Sequence, residues 1–203
     1  MSRRILAVIA VLAVALAILT ALAVRRGVLG PTDQSAAVGG PFQLVDTSGR
    51  TVDQDVLKGK WSVVFFGFTH CPDICPTTLF EMGQVEPLLG AEAAKVQTVL
   101  ISVDPQRDTV EQMRAYVANP AFPKRLIGLT GTLAQVDVAA KAYRVFYQKS
   151  GEGPDYQVNH AAYSYLMNPK GRLACVLPYE LTPEQTAAKI RTAMQAGPAA
   201  DHC

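Results

Sequence analysis

This 203-residue chain has only three histidines and four cysteines. Four cysteines are too few for a disulfide-stapled miniature scaffold, although an exported chain with four could carry a disulfide. Clustered basic charge is missing too. The net charge is +2, and Arg3, Arg4, Arg25 and Arg26 all flank one apolar run near the N-terminus. Without them 15 Lys and Arg face 17 Asp and Glu, which gives a nucleic acid no electrostatic footprint. No internal repeat is present.

The apolar run Ile5–Val24 lacks charge and proline over 20 residues. That length crosses a hydrocarbon layer of ~30 Å as a helix. It exceeds the ~7–15-residue core of a cleaved signal peptide, although Ala21-Leu22-Ala23 resembles a cleavage site. Residues 1–26 therefore read as an uncleaved, single-pass membrane anchor. Both flanks are basic, so the positive-inside bias does not orient it. The length of the remaining chain argues for export. Residues 27–40, holding Gly, Pro, Ser and Ala, read as a flexible linker. Residues 41–196 read as one domain, and 197–203 as a tail.

Within the domain, Phe42–Val45 and Thr51-Val52 flank the turn Asp46–Arg50 as a hairpin. Trp61–Phe66, apolar apart from Ser62, is a run of the kind buried on both faces of a parallel sheet, and Val96–Val103 reads as a second buried strand. Helices are expected from Pro76 to Leu89, Thr109 to Ala118, Thr132 to Tyr143 and Thr182 to Ala196. Asp108 with Glu111 and Thr132 with Gln135 have the form of capping boxes. Arg125–Leu129 reads as a short strand and Gly151–Tyr156 as a polar loop. Ala161–Met167 and Arg172–Leu177 read as strands around the turn Asn168–Gly171. Strands alternating with helices, closed by a late antiparallel hairpin, predict an α/β domain with a mostly parallel sheet.

The chemistry concentrates in Gly67-Phe68-Thr69-His70-Cys71-Pro72-Asp73-Ile74-Cys75-Pro76. Cysteines four apart share one helix face, with Cα atoms about 6 Å apart, within disulfide reach. The pair is a dithiol, a disulfide or a metal clamp. Cys75 stands at the expected helix start, where unpaired N–H groups and the dipole stabilise a thiolate. Two soft sulfurs select Cu(I) or zinc, but the chain lacks an evident fourth ligand for a closed zinc site. His70 adjoins Cys71 and points away from a shared ion. His160 follows the polar loop, at the mouth of a strand. A thiol pair at the end of a buried strand makes the thioredoxin-like fold the natural expectation.

These motifs, with Ser102–Thr109, Leu129–Thr132, Ala142–Val145 and His160 ahead of Tyr165-Leu166, resemble the Sco/SenC family over about residues 41–196. Members of that family are membrane-anchored, thioredoxin-like copper chaperones for cytochrome c oxidase. The resemblance implies copper as cargo, with Cys71, Cys75 and His160 as ligands and a Cys71–Cys75 disulfide when oxidised. Asp104 is the expected supporting carboxylate, and Asp108 reads as a helix cap. The implied partners are the copper-receiving oxidase subunit, other periplasmic copper chaperones and thiol reductants. The implied location is the periplasmic side of the inner membrane. Two alternatives use the same residues: a thiol–disulfide oxidoreductase acting on the oxidase cysteines, and a copper or redox sensor. Asn159 replaces the family's usual acidic residue before the histidine. Cys175 and His202-Cys203 lie outside the family pattern, and read as a core cysteine and an incidental terminus.

Overall fold

The computed structural model describes residues 38–154 and 156–203, with isolated positions at 5, 12, 13 and 16. The expected anchor Ile5–Val24 lies largely outside the described residues. Among those described, no helix is long and apolar enough to cross a membrane. Residues 38–203 form one compact unit.

Its strands are β1 (Gln43–Asp46), β2 (Thr51–Asp53), β3 (Trp61–Gly67), β4 (Val96–Ser102), β5 (Leu126–Thr130), β6 (Tyr147–Ser150), β7 (Gln157–His160), β8 (Tyr163–Met167) and β9 (Leu173–Pro178). Its α-helices are α1 (Ile74–Leu89), α2 (Val110–Val117), α3 (Leu133–Ala142) and α4 (Pro183–Ala196). Among the described residues one sheet runs β2-β1-β5-β4-β3-β8-β9, and β6 pairs only with β7. The central strands β3, β4 and β5 are parallel. Every residue of β3 and β4 is buried, including the polar Ser62, Gln97, Thr98 and Ser102. The late hairpin β8–β9 extends the sheet antiparallel from β3.

One core lies around Leu44, Phe66, Leu100, Met113 and Tyr143. A second gathers Trp61, Val63, Leu166 and Ile190 on the other side. Thr132 and Thr182 both close capping boxes, with Gln135 and Gln185.

Four expectations need correction. Helix α1 begins at Ile74, not Pro76, so Cys75 lies inside its first turn. The cap of α2 is Thr109, whose side chain accepts from the Gln112 N–H, and not Asp108. The polar loop 151–156 is the tip of a hairpin, β6–β7, that sequence pattern did not reveal. Finally, Cys175 is joined to Cys203 in a disulfide with Cα atoms 5.9 Å apart. The terminus is thus tied across 28 residues to β9 rather than incidental. Asn168 Nδ2 donates to Ala200 O at 3.0 Å, and Ala200 is buried against the second core.

Candidate metal centre

Parallel β3 delivers its carboxyl end to the middle of the sheet, and the chain turns there into α1. The turn is tight: the Cys71 N–H donates to Phe68 O at 3.2 Å, while Phe68 is buried beneath it. A helix leaves its first N–H groups without partners inside the helix. Asp73, the N-cap, offers no side-chain cap bond to them. Cys71 Sγ does the capping instead, accepting from the Cys75 N–H at 3.4 Å.

That arrangement decides which sulfur is charged. The Cys75 thiol donates to Cys71, which lowers the Cys71 pKa from 9.0 to about 3 against the opposing effect of burial. The backbone N–H groups of Cys75 and Asp73 lower it further. Cys75 moves the other way, because it keeps the shared proton and is deeply buried. The low-pKa thiol is therefore Cys71, not Cys75 as the helix-start argument expected. Cys71 remains partly exposed, so the reactive sulfur is also the accessible one.

Cys75 sits in a notch that glycine makes. A Cβ at Gly67 would lie 2.8 Å from Cys75 Sγ, too close for two atoms to coexist. A glycine inside a buried strand marks such close approaches, and that signal was available in sequence.

His160 ends β7. Its Nδ1 lies 2.9 Å from Ala161 O, and a carbonyl only accepts, so Nδ1 carries the proton. The lone pair is left on Nε2, which lies 3.6 Å from Cys75 Sγ. A backbone carbonyl thus orients this imidazole, the role that a carboxylate often plays around metal-binding histidines. The Phe68 ring meets it edge-on, with centroids 5.8 Å apart.

Ligand atoms of Cys71, Cys75 and His160 all lie within 4.8 Å of one another. Metal–sulfur and metal–nitrogen bonds of about 2.0–2.3 Å set ligand atoms roughly 3.5–4 Å apart around one ion. The three residues therefore fit a three-coordinate ion after a small closure.

Other sequence expectations fall outside this group. His70 turns to Thr69 Oγ1 at 3.1 Å and lies 3.8 Å from Asp108. Asp104 gives its carboxylate to Tyr156 OH and Arg107 Nε, each at 2.5 Å, and is not among the clustered ligand atoms. Asp108 matters more than a cap would. It is fully buried and accepts from Ser102 Oγ at 2.7 Å, Thr69 Oγ1 at 2.7 Å and the Thr69 N–H. Those bonds pin the cysteine loop to the end of β4. Burial, the largest influence, pushes the Asp108 pKa up, and the Ser102 and Thr69 bonds oppose it.

A thioredoxin-like α/β domain with a Cys–Cys–His group at the carboxyl end of its central strand is the class this geometry defines. The SCO1/SenC family model matches residues 30–195, and the chain belongs to that family. The human mitochondrial SCO2 homolog is 43% identical over 168 residues, covering 80% of this chain and 62% of that protein. The Arabidopsis thaliana mitochondrial SCO1 homolog 1 is 44% identical over 70% of this chain, which spans 42% of that relative. This chain thus matches less than two thirds of the length of either.

Among solved structures, copper-bound ScoI of Bradyrhizobium japonicum is 44% identical with a TM-score of 0.68, covering 75% of this chain and 96% of that one. Copper-bound ScoI of Arabidopsis thaliana is 37% identical with a TM-score of 0.74, covering 79% of this chain and 99% of that one. BsSco, a member of the Sco family of cytochrome c oxidase assembly proteins with a disulfide switch, is 27% identical with a TM-score of 0.63. That likeness covers 81% of this chain and 95% of BsSco.

Proposed function

We propose that this protein is a copper metallochaperone that passes copper to the binuclear copper site of a cytochrome c oxidase subunit. The observation that carries the reading is the convergence of Cys71, Cys75 and His160 within 4.8 Å. Copper held in two Sco relatives and the oxidase-assembly role of BsSco support it. The apolar run Ile5–Val24 supports an anchor that holds the domain on the periplasmic side of the inner membrane.

Two thiolates hold Cu(I) well, and the imidazole adds the nitrogen ligand that Cu(II) favours. Cys75 is the buried post of the site, and Cys71 is its partly exposed gate. An incoming thiolate from the recipient reaches the ion on the Cys71 side and displaces that ligand first. Three-coordination keeps such an exchange open. Oxidation of both thiolates forms one S–S bond, gives two electrons to an acceptor and removes both sulfur ligands.

Copper stoichiometry and X-ray absorption on the purified full chain test the reading, wild type against His160→Ala. Cu(II) affinity should fall much further than Cu(I) affinity in the variant. An equal effect on both states overturns the three-ligand site.

A second reading is favoured by one observation, two free thiols side by side with Cys71 partly exposed, which suits thiol–disulfide exchange. In that case the protein reduces the recipient's cysteines before copper arrives. Activity on a disulfide-bonded oxidase peptide would then survive His160→Ala and vanish in Cys71→Ser.

A further inference from the structure

His160 belongs to the least supported element of the domain. Strands β6 and β7 form a two-stranded ladder that no described backbone ladder joins to the main sheet. An isolated two-stranded hairpin is marginal in water. Its inner face is also incompletely packed: Tyr147, Lys149, Tyr156 and Val158 overlie a cavity of about 170 Å³. Side chains must therefore hold it: Val158 is buried in the first core, and two tyrosine hydroxyls add polar ties at two points. One is the bond from Tyr147 OH to Asp137 Oδ1 at 2.5 Å, on α3.

The other point is denser and closer to the metal centre. Tyr156, just before β7, is buried and donates its hydroxyl to Asp104 Oδ1 at 2.5 Å. Arg107 binds the other oxygen of the same carboxylate at 2.5 Å. Its guanidinium carbon sits 3.7 Å from the centroid of the Tyr156 ring, and Lys149 Nζ lies 3.7 Å from the same centroid. Arg107 also donates to Pro154 O at 3.2 Å and lies 5.8 Å from the Phe68 centroid, the ring that touches His160. The turn that supplies Asp104 and Arg107 ends in Asp108, which pins the cysteine loop. One short turn thus braces both halves of the ligand set.

We propose that Tyr156, clamped by Asp104 and Arg107, is a positioning residue that latches the β6–β7 hairpin and so holds His160 Nε2 against the thiols. This inference rests on the metal-centre reading above and names what sets its third ligand. With the latch released, the hairpin moves and the site is reduced to its two thiolates. Release weakens Cu(II) and spares Cu(I), since a ligand available only part of the time lowers apparent affinity by that fraction.

Tyr156→Phe tests the latch, because it keeps the ring between its two cations and removes only the hydroxyl. In the metal-free full chain, amide hydrogen exchange over residues 157–160 should quicken by about tenfold, the size expected for a bond to a charged acceptor. Exchange in β3 and β4 should stay unchanged. The copper-loaded variant should lose Cu(II) affinity and the nitrogen hyperfine signature of His160, while Cu(I) affinity holds. Asp104→Asn, which still accepts from the tyrosine, should show a smaller effect in the same direction. The latch is wrong if hairpin exchange stays within about twofold of wild type, which is less than one hydrogen bond is worth. It is equally wrong if β3 and β4 loosen in parallel, or if the hairpin loosens while Cu(II) binding is untouched. Were the wild-type chain to take up no copper, the metal reading would fall, and the exchange experiment alone would still decide the latch.

Discussion

The two cysteine pairs of this domain put the same element to opposite uses. Cys71 and Cys75 stand four residues apart, unbonded, where a strand meets a helix, with an imidazole beside them. Cys175 and Cys203 are 28 residues apart and covalently joined, packed at the edge of the second core. Lys189 Nζ approaches Cys203 Sγ at 3.9 Å, and neither sulfur belongs to a ligand cluster among the described residues. Function follows from what surrounds the sulfur. A donated N–H, a shared proton and a nearby imidazole make a ligand set, whereas an apolar strand and a chain end make a staple.

The sharpest break between the pairs comes from losing one sulfur in each. Cys75→Ser should abolish specific copper uptake while leaving the fold intact, measured by equilibrium dialysis and circular dichroism. Retention of full copper binding would remove this pair from the metal centre. Cys203→Ser should do the reverse, lowering stability by about 3–4 kcal/mol for a closed loop of this length. Chemical denaturation measures that loss, and copper stoichiometry should match wild type. A copper defect in Cys203→Ser would mean that the two pairs are not independent.

Gly67→Ala probes the notch under Cys75. The added methyl must displace the sulfur or the strand, at a cost of about 1–3 kcal/mol for overpacking a core. Copper affinity should fall with stability here, unlike in Cys203→Ser.

The smallest effect distinguishes the two sulfurs within one pair. In the metal-free chain, iodoacetamide at pH 6 should modify Cys71 and spare Cys75, read by peptide mass spectrometry. The folded pKa of Cys71 is depressed from 9.0 to about 3, so its thiolate contributes full stability above pH 9.0. That contribution is lost as the pH falls toward 3. Selective labelling of Cys75 instead would reverse the assignment of the shared proton.

Much of the fold was legible because burial writes itself into sequence. Runs such as Trp61–Phe66 hold one small polar residue, Ser62, among aromatic and β-branched ones, and every residue of β3 is buried. The capping box at Thr132 was equally plain, whereas the one expected at Asp108 gave way to a cap at Thr109. Hairpin β6–β7 was not, because Tyr-Gln-Lys-Ser and Gln-Val-Asn-His carry little apolar alternation and become strands only by pairing. The metal centre was legible in part. The Cys71 and Cys75 spacing left dithiol, disulfide and metal clamp open, and Cys71 in fact precedes α1 rather than sharing its face. His160 lies 85 residues from Cys75 and was reached through family resemblance. Which sulfur is ionised depends on the loop that hands one N–H to Cys71, and spacing does not encode that. The Cys175–Cys203 bond was hidden for a similar reason, since cysteine counts carry no connectivity.

The Cys75 N–H at Cys71 Sγ has a consequence for the sulfur that accepts it. An anionic sulfur with no partner would be a standing liability, open to adventitious ions and to collapse onto its neighbour. Here the first turn of α1 meets that charge with a backbone N–H. Anything that binds Cys71 Sγ through this lone pair competes with the first turn of α1 for it.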